Sequence, residues 1–261
     1  MAEQAVQIAE TSRLQKLLYA VWPPLIGFVV VVGGWEAIIR LGNIPPFILP
    51  APSVIVADMV SGWSRVYPAL VVTTHEAVSG LALGTVVGIV LAVVMTSFAR
   101  LERVLLPVLT AVNAVPVVAY APLCILWFGQ GPWSKIVLVT FIVSYTIMLN
   151  VRQGLRSCDA EHINLLRSFG AGPAEILFKL KLPAALPLLF TGIRVSVVRA
   201  MIIAIVVEML GSYQGIGWRI YEATQQVDFV RVWSSVTAAS VVSLLLFAVV
   251  AAFQNRFIWW K

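Results

Sequence analysis

Of the 261 residues, 60% are hydrophobic and only 11% are charged, too little polar surface to solvate a water-soluble domain of this length. The solvent for most of the chain is therefore lipid. The net charge of +6 forms no stripe that could follow nucleic acid, because Lys and Arg gather at the ends of apolar runs. Two cysteines, Cys124 in an apolar run and Cys158 in a polar one, exclude a disulfide framework and a CxxC metal site.

In chain order, residues 1–21 read as a cytoplasmic N-terminal segment, polar at first and carrying Glu3 and Glu10. The apolar run that follows continues past any small-residue cleavage site, which predicts a retained first span. Six stretches reach the roughly 20 helical residues that a hydrocarbon core requires: 22–39, 69–98, 104–128, 133–149, 185–210 and 232–253. The expectation is an all-α membrane protein: a single domain over 1–261, built as a six-span helical bundle, with a helical cytoplasmic loop at 151–183. With both termini inside, eleven Lys and Arg fall on the cytoplasmic side (Arg13, Lys16, Arg100, Arg103, Arg152, Arg156, Arg167, Lys179, Lys181, Arg256 and Lys261). Five fall outside (Arg40, Arg65, Lys135, Arg219 and Arg231), so the positive-inside bias favours this orientation.

Between the first two spans, Pro45-Pro46 precedes a stretch, Ser53 to Ser64, that reads as a short interfacial helix. In the second span Gly80, Gly84 and Gly88 recur every four residues, a helix face that lets another backbone approach. His75 and Glu76, near its outer end, read as interfacial. The third span holds Pro107, Pro116 and Pro122, each deleting a backbone donor. Such defects fit either a water-lined cavity or a plain kinked helix, and Asn113, Pro116 and Tyr120 are the first candidates for a translocation path.

The 151–181 stretch is too long for a turn. Asp159 can cap a helix bearing Ile163 and Leu166, Gly170-Ala171-Gly172 breaks it, and Pro173 suits the first turn of a second helix that Leu182-Pro183 ends before the next span. Further on, 211–230 carries Gln214, Trp218, Tyr221 and Gln225, a mixture suited to the water interface; both long outer stretches read either as partner contacts or as solvated connections.

Arg167-Ser168-Phe169-Gly170-Ala171-Gly172-Pro173, with Leu180-Lys181-Leu182-Pro183 following Gly170 after nine residues, resembles the cytoplasmic coupling motif of ABC importer permeases, E-A-A-x3-G-x9-I-x-L-P. Leu49-Pro50-Ala51-Pro52-Ser53, Ala121-Pro122-Leu123, Leu126-Trp127-Phe128-Gly129, Gly192-Ile193-Arg194 and Glu208-Met209-Leu210-Gly211 are similar to the nitrate/sulfonate/taurine branch. Asn164-Leu165-Leu166 replace the motif's Glu-Ala-Ala, so its acidic contact is missing; Glu161 lies one turn earlier. The resemblance implies a permease subunit in the bacterial inner membrane, working as a homodimer with a second copy of itself. It also implies two separate ATP-binding-cassette ATPases, which use ATP and Mg, docked on Asn164, Arg167, Gly170, Ala171, Gly172, Pro173, Leu182 and Pro183, and an extracytoplasmic solute-binding protein.

This chain carries no G-x-x-x-x-G-K-[ST] loop. No catalytic residue, cofactor or metal ligand is therefore expected in it. Arg199 lies about 20 Å along its helix from Leu186 at about 1.5 Å per residue, deep enough to meet an anion unless it snorkels. Glu208 has two readings, a hydrogen bond to a neighbouring helix or a contact to solute. The implied solute is small and anionic: a sulfonate, nitrate, taurine or a related organic acid. A pyrimidine vitamin precursor or an aromatic carboxylate fits the same branch. An ion-coupled secondary transporter, the rival class, would need a relay of intramembrane carboxylates beyond the scattered Glu36, Glu76 and Glu208.

Overall fold

In the computed structural model, the backbone is described for residues 2–257 and the side chains for residues 22–256. Arg13, Lys16 and Lys261, which carry part of the orientation argument, lie outside the described side chains. The described chain runs α1 (Ala2–Leu41), α2 (Pro52–Ser61), α3 (Trp63–Ser97), α4 (Ala99–Asn113), α5 (Val117–Phe128), α6 (Pro132–Arg156), α7 (Ala160–Ser168) and α8 (Pro173–Ile176). A π-helical turn (Leu177–Lys181) leads into α9 (Leu182–Gly211), followed by α10 (Gly215–Gln225) and α11 (Phe229–Phe257).

Among the described residues, four helices are long and apolar enough to cross a membrane, at Trp22–Leu41, Trp63–Ser97, Pro132–Arg156 and Phe229–Arg256. The expected third span is not one kinked helix. It is broken into α4 and α5, bent by 95°, and counts as a fifth crossing only if the pair is one span. The fifth expected span, 185–210, falls on α9, whose 30 residues include Arg194, Arg199 and Glu208. At about 1.5 Å per residue that is a rod of roughly 45 Å.

The centre of the bundle is α6, with Leu138, Val139, Val143, Ile147, Met148 and Val151 all buried. Lipid provides little hydrophobic drive between helices, so close backbone approach must hold them together. The α3 glycines supply it: a Cβ on Gly80 would sit 2.5 Å from Val139 Cβ, and one on Gly88 2.7 Å from the Ser144 carbonyl. Thr140 Oγ1 donates to the Gly80 carbonyl at 3.2 Å across the same seam. On the other side of α6, Gly154 abuts Ala185 of α9, and Gly192 of α9 abuts Asn150. By contrast, among the described residues α1 and α11 bury few of their apolar side chains, as lipid-facing helices do.

Polar contacts mark the two ends of the bundle. At one end Glu102, in the first turn of α4, pairs with Arg152 at 2.5 Å and with Arg156, both in the last turns of α6 just before α7. At the other end, Asp58 of α2 accepts a hydrogen bond from Ser234 of α11 at 2.5 Å, and Arg219 of α10 donates to Ser235 at 3.0 Å.

Candidate functional site

The break between α4 and α5 follows from one missing proton. In an unbroken helix the Val112 carbonyl would accept from the residue four on, which is Pro116 and has no N–H. The Val115 N–H reaches that oxygen at 3.3 Å, and Tyr120, one turn into α5, adds a closer donor: its hydroxyl lies 2.8 Å from it, and its ring packs edge-on against Phe141 at 5.8 Å. Pro116, with φ −57° and ψ 135°, redirects the chain into α5.

The break opens a cavity of about 350 Å³ lined by Asn113, Ala114, Val115, Pro116 and Val117, with Ile142 of α6 and Arg199, Ile202 and Ile203 of α9. Asn113, Pro116 and Arg199, separate candidates in the sequence, thus line one space. Arg199 Nη1 donates to Thr146 Oγ1 at 3.2 Å. Among the described residues no carboxylate pairs with its guanidinium. A neutral hydroxyl leaves the positive charge available to an anion in the cavity. Arg194 has partners of its own, Gln254 Oε1 at 3.3 Å and the face of Phe247 at 4.9 Å.

Tyr120 and Glu208 do not line this cavity. Glu208 is fully buried at the opposite end of α9. Its Oε2 accepts the Gly217 N–H at 2.6 Å, in the positive first turn of α10. Thr73 Oγ1 lies 2.8 Å from its Oε1 and accepts the Ile216 N–H at 2.9 Å, so one carboxylate and one hydroxyl join α3, α9 and α10. Gly215, at φ +94°, and Gly217 are required beside it: a Cβ on Gly215 would stand 2.1 Å from Glu208 Oε1. Glu76 is only 3% exposed, which overturns its interfacial reading, although its neighbour His75 is exposed.

The candidate coupling residues are at the other end. Gly170, at φ +84°, closes α7 with two reverse bonds, Gly170 N–H to the Arg167 carbonyl at 2.9 Å and Ala171 N–H to the Leu166 carbonyl at 3.0 Å. Pro173 opens the next helix, as expected. That helix does not stop at Leu182-Pro183: it continues through the π-helical turn into α9, the wider turn absorbing the donor that Pro183 lacks. The segment that leaves the α7 corner at Pro173 is therefore one continuous helical run with α9. Asn164, Arg167, Gly172, Pro173 and Pro183 are exposed, and Ala171 and Leu182 half-buried. Leu165, Phe169 and Phe178 add exposed apolar side chains that sequence reasoning missed. Lys179 holds the Glu175 carboxyl below the usual carboxylate range.

Residues 84–258 match the model of the family described as the binding-protein-dependent transport system inner membrane component. The chain belongs to that family. This permease is 31% identical over 247 residues to the formylaminopyrimidine transport permease protein ThiX of Halalkalibacterium halodurans, covering 94% of this chain and 98% of that one. It is 24% identical over 238 residues to the taurine transport system permease protein TauC of Escherichia coli, covering 88% and 86%. A solved bacterial ABC transporter involved in import of the acidic polysaccharide alginate shares the fold, with a TM-score of 0.65 over 97% of this chain and 99% of that one at 14% identity. The permease is the membrane subunit of an ABC importer of the nitrate/sulfonate/taurine branch.

Proposed function

We propose that this permease forms the translocation path for a small anionic solute, a sulfonate, nitrate, taurine or a related organic acid, and moves it by alternating access. The observation that carries this reading is the cavity at the α4–α5 break, where Arg199 meets a threonine hydroxyl and no carboxylate. Two copies pair across the membrane with both termini in the cytoplasm. Two separate ATPases grip the 151–183 loop, and a solute-binding protein docks on the extracytoplasmic face. Continuity of Pro173–Ile176 with α9 supports the coupling: a push on the α7 corner acts on the helix that carries Arg199. Cargo of the pyrimidine-precursor kind is the second reading, favoured by the likeness to ThiX.

Against an ion-coupled carrier, Glu36, Glu76 and Glu208 form no chain across the bundle among the described residues. Glu36 pairs with Arg40 at 2.5 Å near the end of α1, while Glu76 and Glu208 sit together. The test is uptake by proteoliposomes holding the permease, its ATPase and its binding protein. Uptake is expected to require ATP and to survive collapse of ion gradients; uptake driven by a gradient without ATP would refute the proposal.

A further inference from the structure

Above the Glu208 clamp lies a second cavity, of about 600 Å³, at the opposite end of the bundle from α7. Its lining includes Val72, His75, Glu76, Gln130, Tyr213 and Gln214, drawn from α3 and from the α5–α6 and α9–α10 loops. Immediately beneath it three ionisable side chains are buried together: Glu76 at 3% exposure, and Glu208 and Lys135 at 0%. Their hydrogen bonds are unequal. Glu208 is satisfied by Thr73 and Gly217, and Lys135 Nζ donates to the Gln130 and Gly131 carbonyls at 2.5 and 3.1 Å, fixing the cavity lip. Glu76 Oε2 is buried with no hydrogen-bond partner.

Two carboxylates against one ammonium leave the buried group one positive charge short until a proton or an incoming cation joins it, because an unbalanced buried charge is costly. The unsatisfied oxygen belongs to the residue that lines the cavity. We propose that this cavity receives a basic side chain, Lys or Arg, presented by the extracytoplasmic protein that docks on the permease, with Glu76 as its counter-charge. The inference rests on the proposed function for the existence of that partner. A cationic solute is the weaker source of the same chemistry, because the cavity at the helix break carries Arg199, of like sign.

The full-length permease in nanodiscs, titrated with methylguanidinium chloride against sodium chloride at equal ionic strength, tests the site. Calorimetry is expected to show a saturable signal with methylguanidinium alone, weakened at least tenfold in Glu76→Gln. Gln130→Arg, which tethers a guanidinium at the exposed lip without touching the buried group, is expected to abolish it. Docking of the purified binding protein should weaken in Glu76→Gln by a similar factor. No saturable signal in the wild type, or equal binding by wild type and both variants, overturns the site and means that a proton fills the charge deficit. A normal signal with docking indifferent to Glu76→Gln overturns the assigned source. Because the titration needs no transport, a failure of the path proposal leaves its result intact and separately readable.

Discussion

Arg199 occupies a stretch that otherwise reads Val195-Ser196-Val197-Val198 and Met201-Ile202-Ile203, where a guanidinium turned to lipid would cost at least about 2.5 kcal/mol on insertion scales. The fold turns it instead to Thr146 and the cavity at the break. Arg199→Gln keeps hydrogen-bonding reach and removes the charge. Uptake is expected to fall at least about tenfold, equivalent to roughly 1.4 kcal/mol, with expression and ATPase docking unchanged. Uptake within about twofold of wild type would contradict a role in the path. The depth of Arg199 was legible in the sequence because an arginine in an apolar run announces itself. The roles of Tyr120, Glu76 and Glu102 were not. Tyr120 stands out in the sequence only through its neighbours, and its service to the Val112 carbonyl depends on the 95° bend. Glu102 finds Arg152 and Arg156 at separations of 50 and 54 residues, contacts that exist only after α4 and α6 meet.

Elements were legible wherever a local rule governs them. The four-residue glycine spacing on α3 gave a packing face, although the spacing could not say that α6 would fill it. Gly88→Ala places a Cβ 2.7 Å from the Ser144 carbonyl, so α3 must move off α6. The expected loss is about 1–3 kcal/mol, read as a lower melting temperature in detergent. At Gly170 the restriction is different: an added Cβ meets nothing within 4 Å, but φ is +84°. Gly170→Ala therefore costs only backbone strain, about 1 kcal/mol, and should retain ATP-coupled uptake. Gly170→Trp carries the same backbone strain, on an exposed corner, and should abolish coupling by obstructing the ATPase surface. Equal coupling in the two variants would show that no partner lies against that corner. The continuation of the second loop helix into α9 was hidden because Leu182-Pro183 is locally a stop signal. A π-helical turn placed one residue turn earlier removes the conflict without ending the helix.

At the scale of the molecule, the Lys and Arg count predicts that the α7 corner faces the cytoplasm and the α5–α6 loop the outside. Cysteines introduced at Gly131 and Gly172, where an added Cβ meets nothing within 4 Å, report on this directly. A membrane-impermeant thiol reagent should label Gly131→Cys in intact cells and Gly172→Cys only after lysis; the reverse pattern would invert the topology. The central claim is that the cavity at the α4–α5 break opens alternately to the two sides. With Cys124 and Cys158 replaced and Asn113→Cys as the single thiol, the reconstituted complex should be labelled from the cytoplasmic side without nucleotide. With ATP bound and hydrolysis blocked, labelling should switch to the extracytoplasmic side. Labelling from one side in both states, or from neither, would contradict the account.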